Sequence, residues 1–167
     1  KYGLYSDTPA GASEVRPTGL RWDAFDGNTA IGNPASPNFG PGDAANGFEI
    51  TPRPASFGWG LLLQPGPGPV DACSNLPAPP NGATDNLSNY AATGSLNFWI
   101  STTYPGKIEI GIGTDTQDRD PQEANLQIQP GNYGYCNTGA WCQVSIPLQD
   151  FIARNPKLDL SLVLSRF

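Results

Sequence analysis

Histidine is absent from the 167 residues, and this removes much of the commonest site chemistry at once. A Ser-His-Asp triad cannot be assembled, and three cysteines without a histidine make a poor zinc set. Charge is scarce as well. Only 14% of the residues are charged, and they sum to a formal −6. No basic stripe or Lys/Arg block interrupts that balance. Nucleic acid and acidic lipid surfaces are therefore poor partners, and a neutral or basic ligand fits better. There is no Gly-rich phosphate loop and no nucleophile elbow. No apolar run approaches membrane-spanning length.

Turn-forming residues are abundant instead, with 20 Gly and 18 Pro. Such a composition suits an all-β chain with many turns or a disordered chain. The low charge, the 38% hydrophobic content and several cleanly alternating segments favour the former. The length suits one domain with a core of useful size, taken as 1–167. The chain starts at Lys1 without a signal peptide, and is expected to be a piece excised from a larger secreted protein.

Two of the three cysteines bracket the stretch CNTGAWC, in which Asn and Gly supply a turn. A Cys136–Cys142 disulfide is expected, and with it an oxidising, extracellular setting. Two buried free thiols are the alternative. Cys73 is left over in a Pro-rich loop, either free or paired with a segment outside this chain.

Alternation and β-branched or aromatic content mark eight strand-like segments. They are YGLYS (2–6), GFEIT (47–51), FGWGLLL (57–63), SLNFWIS (95–101), KIEIGIG (107–113), NLQIQ (125–129), WCQVSI (141–146) and KLDLSLVL (157–164). In the last, Leu158, Leu160, Leu162 and Leu164 are expected to face inward, opposite Asp159 and Ser161. PLQDFIAR (147–154) reads as one or two helical turns with Pro147 at the start. Two long Pro/Gly-rich loops run from about 28 to 45 and from about 64 to 86. The expected fold is an all-β sandwich of jelly-roll type.

WCQVSIPLQDF followed by KLDLSLVL resembles the ending of galactose-binding-like jelly-roll carbohydrate-binding modules, where a W-x-x-V-x-I-P-L-x-x-F segment precedes a Leu-rich strand. YGLYSDT, FGWG, DNLSNYAATGSLNFWI and KIEIGIG occur upstream in the order found in a narrower group. Those modules are appended to secreted bacterial glycoside hydrolases that degrade β-glucans or agar. The resemblance covers most of the chain outside the two Pro/Gly loops. It implies a two-sheet sandwich, often with a structural Ca²⁺, that binds polysaccharide without cleaving it. It also implies that Trp59 and Trp141 stand at the group's tryptophan positions, and that Asp7 in YSDT is a candidate Ca²⁺ ligand. No other cofactor is implied. The loop after FGWGLLL departs from the group's pattern, so ligand choice is not inherited.

The outward faces of the strands carry the candidate site. In SLNFWIS, Leu96, Phe98 and Ile100 are expected inside, with Asn97, Trp99 and Ser101 outside. In KIEIGIG, Lys107, Glu109 and Gly111 face out. Asn125, Gln127 and Gln129 face out from the next strand, and Trp141 and Gln143 from WCQVSI. Flat rings suit the C–H faces of pyranoses, and amides and carboxylates suit their hydroxyls. A glycine among them is expected to leave room for a sugar ring. The ligand-binding set is thus Trp99, Trp141, Asn97, Glu109, Gln143, Trp59 and Tyr104, the last in the turn TTYPG. Trp59 alternates in phase with Phe57, Leu61 and Leu63, the pattern of a core residue, so alternation and resemblance disagree there. Trp22 in RWDAF reads as packing. Whether Trp99 and Trp141 share a surface depends on which sheet each strand joins.

The stretch TDTQDRDPQE offers Asp115, Asp118, Asp120 and Glu123 as hard oxygen ligands, but its spacing is not that of an EF-hand and Arg119 sits inside it. It reads as a solvated loop. Carboxylates such as Glu49, Glu109 and Asp159 exist, yet nothing in the sequence places a pair across a glycosidic bond. The chain is therefore read as a non-catalytic module that binds a polysaccharide, a β-glucan such as laminarin, and targets an attached glycoside hydrolase to it. A structural or protein-interaction domain of the same fold is the alternative, followed by a lyase or hydrolase domain.

Overall fold

The computed structural model describes residues 84–114 and 122–165, together with four short upstream strands. Only the backbone is described for those four strands and for 164–165. Contacts divide the chain into two units, 1–83 and 84–167, and each is taken by itself.

In the first unit, β1 (Arg21–Phe25) pairs antiparallel with β4 (Gly60–Gln64), and β2 (Ala30–Ile31) with β3 (Ile50–Thr51). β1 is the segment RWDAF, which alternation alone did not mark as a strand. β2 falls inside the stretch read as a long loop. YGLYS and the loop containing Cys73 lie outside the described residues.

The second unit is built from two antiparallel ladders. β5 (Ser95–Ser101) pairs with β8 (Trp141–Pro147), while β6 (Ile108–Thr114) lies between β7 (Gln122–Ile128) and β9 (Val163–Ser165). Both ladders follow the period-2 rule. In the first, the inward pairs are Leu96 with Ile146, Phe98 with Val144 and Ile100 with Cys142. In the second, Ile108 faces Ile128, Ile110 faces Leu126 and Ile112 faces Ala124. Val144, Ile146, Ala124 and Ile128 are fully buried. Each large side chain buried this way contributes roughly 1.5–3 kcal/mol.

α1 (Leu148–Arg154) follows β8 directly and packs against both β7 and β8, inserting Leu148 and Phe151 into the core. Pro147 is its N-cap, in extended conformation, rather than its first helical residue. The reason is register, since Pro147 is still paired with Ser95 in the ladder. With no side-chain cap, the Leu148 N–H donates to the Gly94 carbonyl at 3.0 Å. At the other end, the Asn155 amide donates to the Glu123 carbonyl at 2.9 Å and ties the helix to β7.

KLDLSLVL departs from its expected form. Only its last residues join β9, and Asp159 to Leu162 form a turn closed by the Leu162 N–H on the Asp159 carbonyl. The Asp159 carboxylate also accepts from the Ser161 N–H (2.9 Å) and hydroxyl (2.7 Å). This local capture competes with strand pairing. The buried set is then Leu158, Leu160 and Val163, with Leu162 half-buried, not the expected row of alternate leucines. The turn TTYPG joins strands of different sheets, so the loop between β5 and β6 changes ladder.

Candidate functional site

The outward residues of β5 and β8 come from the strand register. Asn97 stands opposite Ser145, Trp99 opposite Gln143 and Ser101 opposite Trp141. Trp99 and Trp141 are therefore diagonal neighbours on one face, roughly 7–8 Å apart. Trp99 is 47% exposed and Trp141 half-buried, while Asn97, Gln143, Ser145 and Ser101 are all exposed. Asn97 uses its amide N–H to hold the Ser95 carbonyl at 2.9 Å.

Trp141 is anchored from its own loop. Cys136 and Cys142 are joined in a disulfide with Cα atoms 6.0 Å apart. The loop they close is stitched to the end of β5. The Gly139 N–H donates to the Thr102 carbonyl at 2.9 Å, and the Ser101 hydroxyl donates to the Gly139 carbonyl at 2.8 Å. The tryptophan that opens β8 is thus fixed by a covalent bridge one residue away and by two hydrogen bonds across the ladder.

Tyr104 lies just beyond β5 and is 56% exposed. Its backbone N–H donates to the Thr102 hydroxyl, its ring lies over Gly106, and its carbonyl accepts from the Tyr135 hydroxyl at 3.2 Å. Tyr135 itself is buried, and burial first, then the neighbouring Tyr104, raises its phenol above the ordinary value.

The remaining expected residues are elsewhere. Glu109 projects from β6 opposite Gln127, on the other ladder from Trp99. The outward set assembled along the sequence is thereby split in two. Gly111 does not leave room for a sugar ring, because Asn125, directly opposite, lays its side-chain oxygen over the position a Cβ would take. The side chain of Trp22, and all of Glu49, Trp59, Asp7, Asp115, Asp118 and Asp120, lie outside the described residues. Among the described residues no three His, Cys, Asp or Glu gather as a metal site.

One aromatic was missed. Tyr133, in the turn GNYGY between β7 and β8, is 38% exposed. Its carbonyl accepts from the Ser145 N–H at 2.9 Å, which sets its backbone beside β8 on the edge away from β5. Its hydroxyl donates to the Asp150 carboxylate at 2.7 Å. That bond, aided by burial and by the negative charge of Asp150, raises the phenol above its ordinary value. An aromatic flanked by Asn and Gly in a turn is a usable signal of an exposed ring, but one that strand alternation does not pick up.

The ladder face of β5 and β8 thus carries two indoles among amides and hydroxyls, a composition that suits flat apolar C–H faces and the hydroxyls around them. Comparison with family models gives the class. The model of carbohydrate binding domain 30 matches residues 75–165, more than half of the chain, and the chain belongs to that family. Searches of curated proteins and of solved structures return no match.

Proposed function

We propose that the outward face of β5 and β8 binds a polysaccharide, with a β-glucan such as laminarin as its ligand. Trp99 and Trp141 stack on pyranose rings while Asn97 and Gln143 take hydroxyls. The module acts outside the cell without catalysis and holds an attached glycoside hydrolase at its substrate by raising the effective concentration. The two ladders serve as the layers of a jelly-roll sandwich. The packing of α1 on a strand of each ladder supports that arrangement, and the disulfide supports an extracellular setting.

The observation that carries this reading is the register of β5 on β8, which sets both tryptophans on one face. Glu109 and its neighbours on β6–β7 are then outside the ligand's reach, and Tyr104 is a flanking contact at the end of β5. Affinity electrophoresis of the chain in gels containing laminarin, mixed-linkage glucan, agarose or alginate tests the proposal. Retardation by laminarin is expected. Retardation by none of the four would sink the binding reading, and release of reducing ends or unsaturated products by the chain would replace it with an enzymatic one.

A further inference from the structure

The GNYGY turn carries more architecture than a loop between strands requires. Tyr133 has φ of 52°, the only non-glycine residue with positive φ among the described residues. That conformation is uncommon for a bulky side chain and recurs where function holds it in place. The turn is closed by three backbone bonds: Asn132 N–H to Gln129, Tyr135 N–H to Asn132, and Gly131 N–H to Tyr135. Gly134, at φ of 86°, presses so closely on the Gln143 carbonyl that no side chain fits there. The turn is thus clamped along the edge of β8 away from β5, beside Gln143 and Ser145, two outward residues of the candidate face. The ring it presents is exposed on one side and tethered at its tip to Asp150.

We propose that Tyr133 is a further ring-stacking position, one that extends the glycan footprint across β8. This rests on the reading of β5–β8 as the glycan face. Trp99 stands one strand away from β8 on one side and Tyr133 on the other. Across the strands the two backbones are therefore separated by about two strand spacings, roughly 9–10 Å, with a further offset along β8 from Gln143 to Ser145. One sugar cannot reach both, so Tyr133 contributes only to ligands long enough to cross β8. Asp150 is a positioning residue that fixes the ring's tilt.

The test is the dependence of affinity on chain length, by calorimetric titration of the full chain. Laminaribiose, too short to span both positions, and laminarihexaose serve if laminarin retards the wild type, or the corresponding oligosaccharides of whichever glucan does. Tyr133→Asn removes the ring yet keeps the turn, because Asn accepts the left-handed conformation. It is expected to weaken the hexasaccharide about fivefold and to leave the disaccharide within twofold. Tyr133→Phe and Asp150→Ala keep the ring and cut its tether, and are expected to fall between Tyr133→Asn and wild type. Wild-type hexasaccharide affinity in Tyr133→Asn, or equal weakening of both lengths, would overturn the proposal. Trp99→Ala in the same titrations separates the two claims. If it weakens both lengths while Tyr133→Asn weakens neither, only the Tyr133 proposal falls. If Trp99→Ala weakens neither, the underlying reading of the face falls with it.

Discussion

The two ladders of the second unit use the same inward recipe and differ in what they show outward. Each buries a row of Ile, Leu or Val against the core. Outward, β5–β8 shows Trp99 and Trp141 among Asn97, Gln143 and serines. β6–β7 shows Glu109, Gln127, Asn125, Glu123 and glycines, with the Asn125 amide folded over Gly111. The second face fills its own gap at Gly111. The first leaves Trp99 exposed and Trp141 half-buried, and braces Trp141 with a disulfide and cross-strand hydrogen bonds. Large exposed aromatics on a strand are costly to leave in water. In the proposed function the glycan covers them.

The comparison can be broken at several levels. The largest effect falls on what both ladders share. Phe151 is fully buried on α1, between the two. Phe151→Ala is expected to cost about 3–5 kcal/mol, read as a drop in urea midpoint, and to abolish binding by unfolding the module. Next comes the brace peculiar to β5–β8. Reducing the Cys136–Cys142 bridge is expected to cost about 2–3 kcal/mol for so short a loop. An unchanged melting temperature after reduction would remove the bridge from this account.

A smaller effect falls beside the other ladder. The Ser161 hydroxyl and N–H bonds hold the Asp159 carboxyl below its ordinary 3.8. A depressed folded pKa means that this contribution is present above pH 3.8 and is lost as pH falls through the folded value. Asp159→Asn is expected to flatten that part of the acid decline in melting temperature while sparing glycan binding. An acid decline identical to wild type would show that the turn is held by other contacts.

Much of this was legible along the chain. SLNFWIS became β5 with the expected bounds and facing, because an uninterrupted alternation of apolar and polar residues has one solution. WCQVSI and the PLQDFIAR helix were nearly as clear. KLDLSLVL alternates just as well and still forms a turn, because Asp159 reaches Ser161 locally before a partner strand can. What alternation cannot carry is which strand lies beside which. Trp99 and Trp141 are 42 positions apart in sequence, and their meeting depends on β5 choosing β8 over β6. The same pairing separates Glu109 from them. Tyr133 was missed because its exposure comes from turn geometry and an edge contact, neither of which has a period.

The most direct test is therefore retardation in laminarin gels of Trp99→Ala beside Glu109→Gln, with melting temperatures measured on the same samples. Lost retardation in Trp99→Ala at unchanged melting temperature is expected, with Glu109→Gln migrating as wild type. Full retardation of Trp99→Ala, or its loss in Glu109→Gln instead, would contradict the assignment of the binding face to β5 and β8.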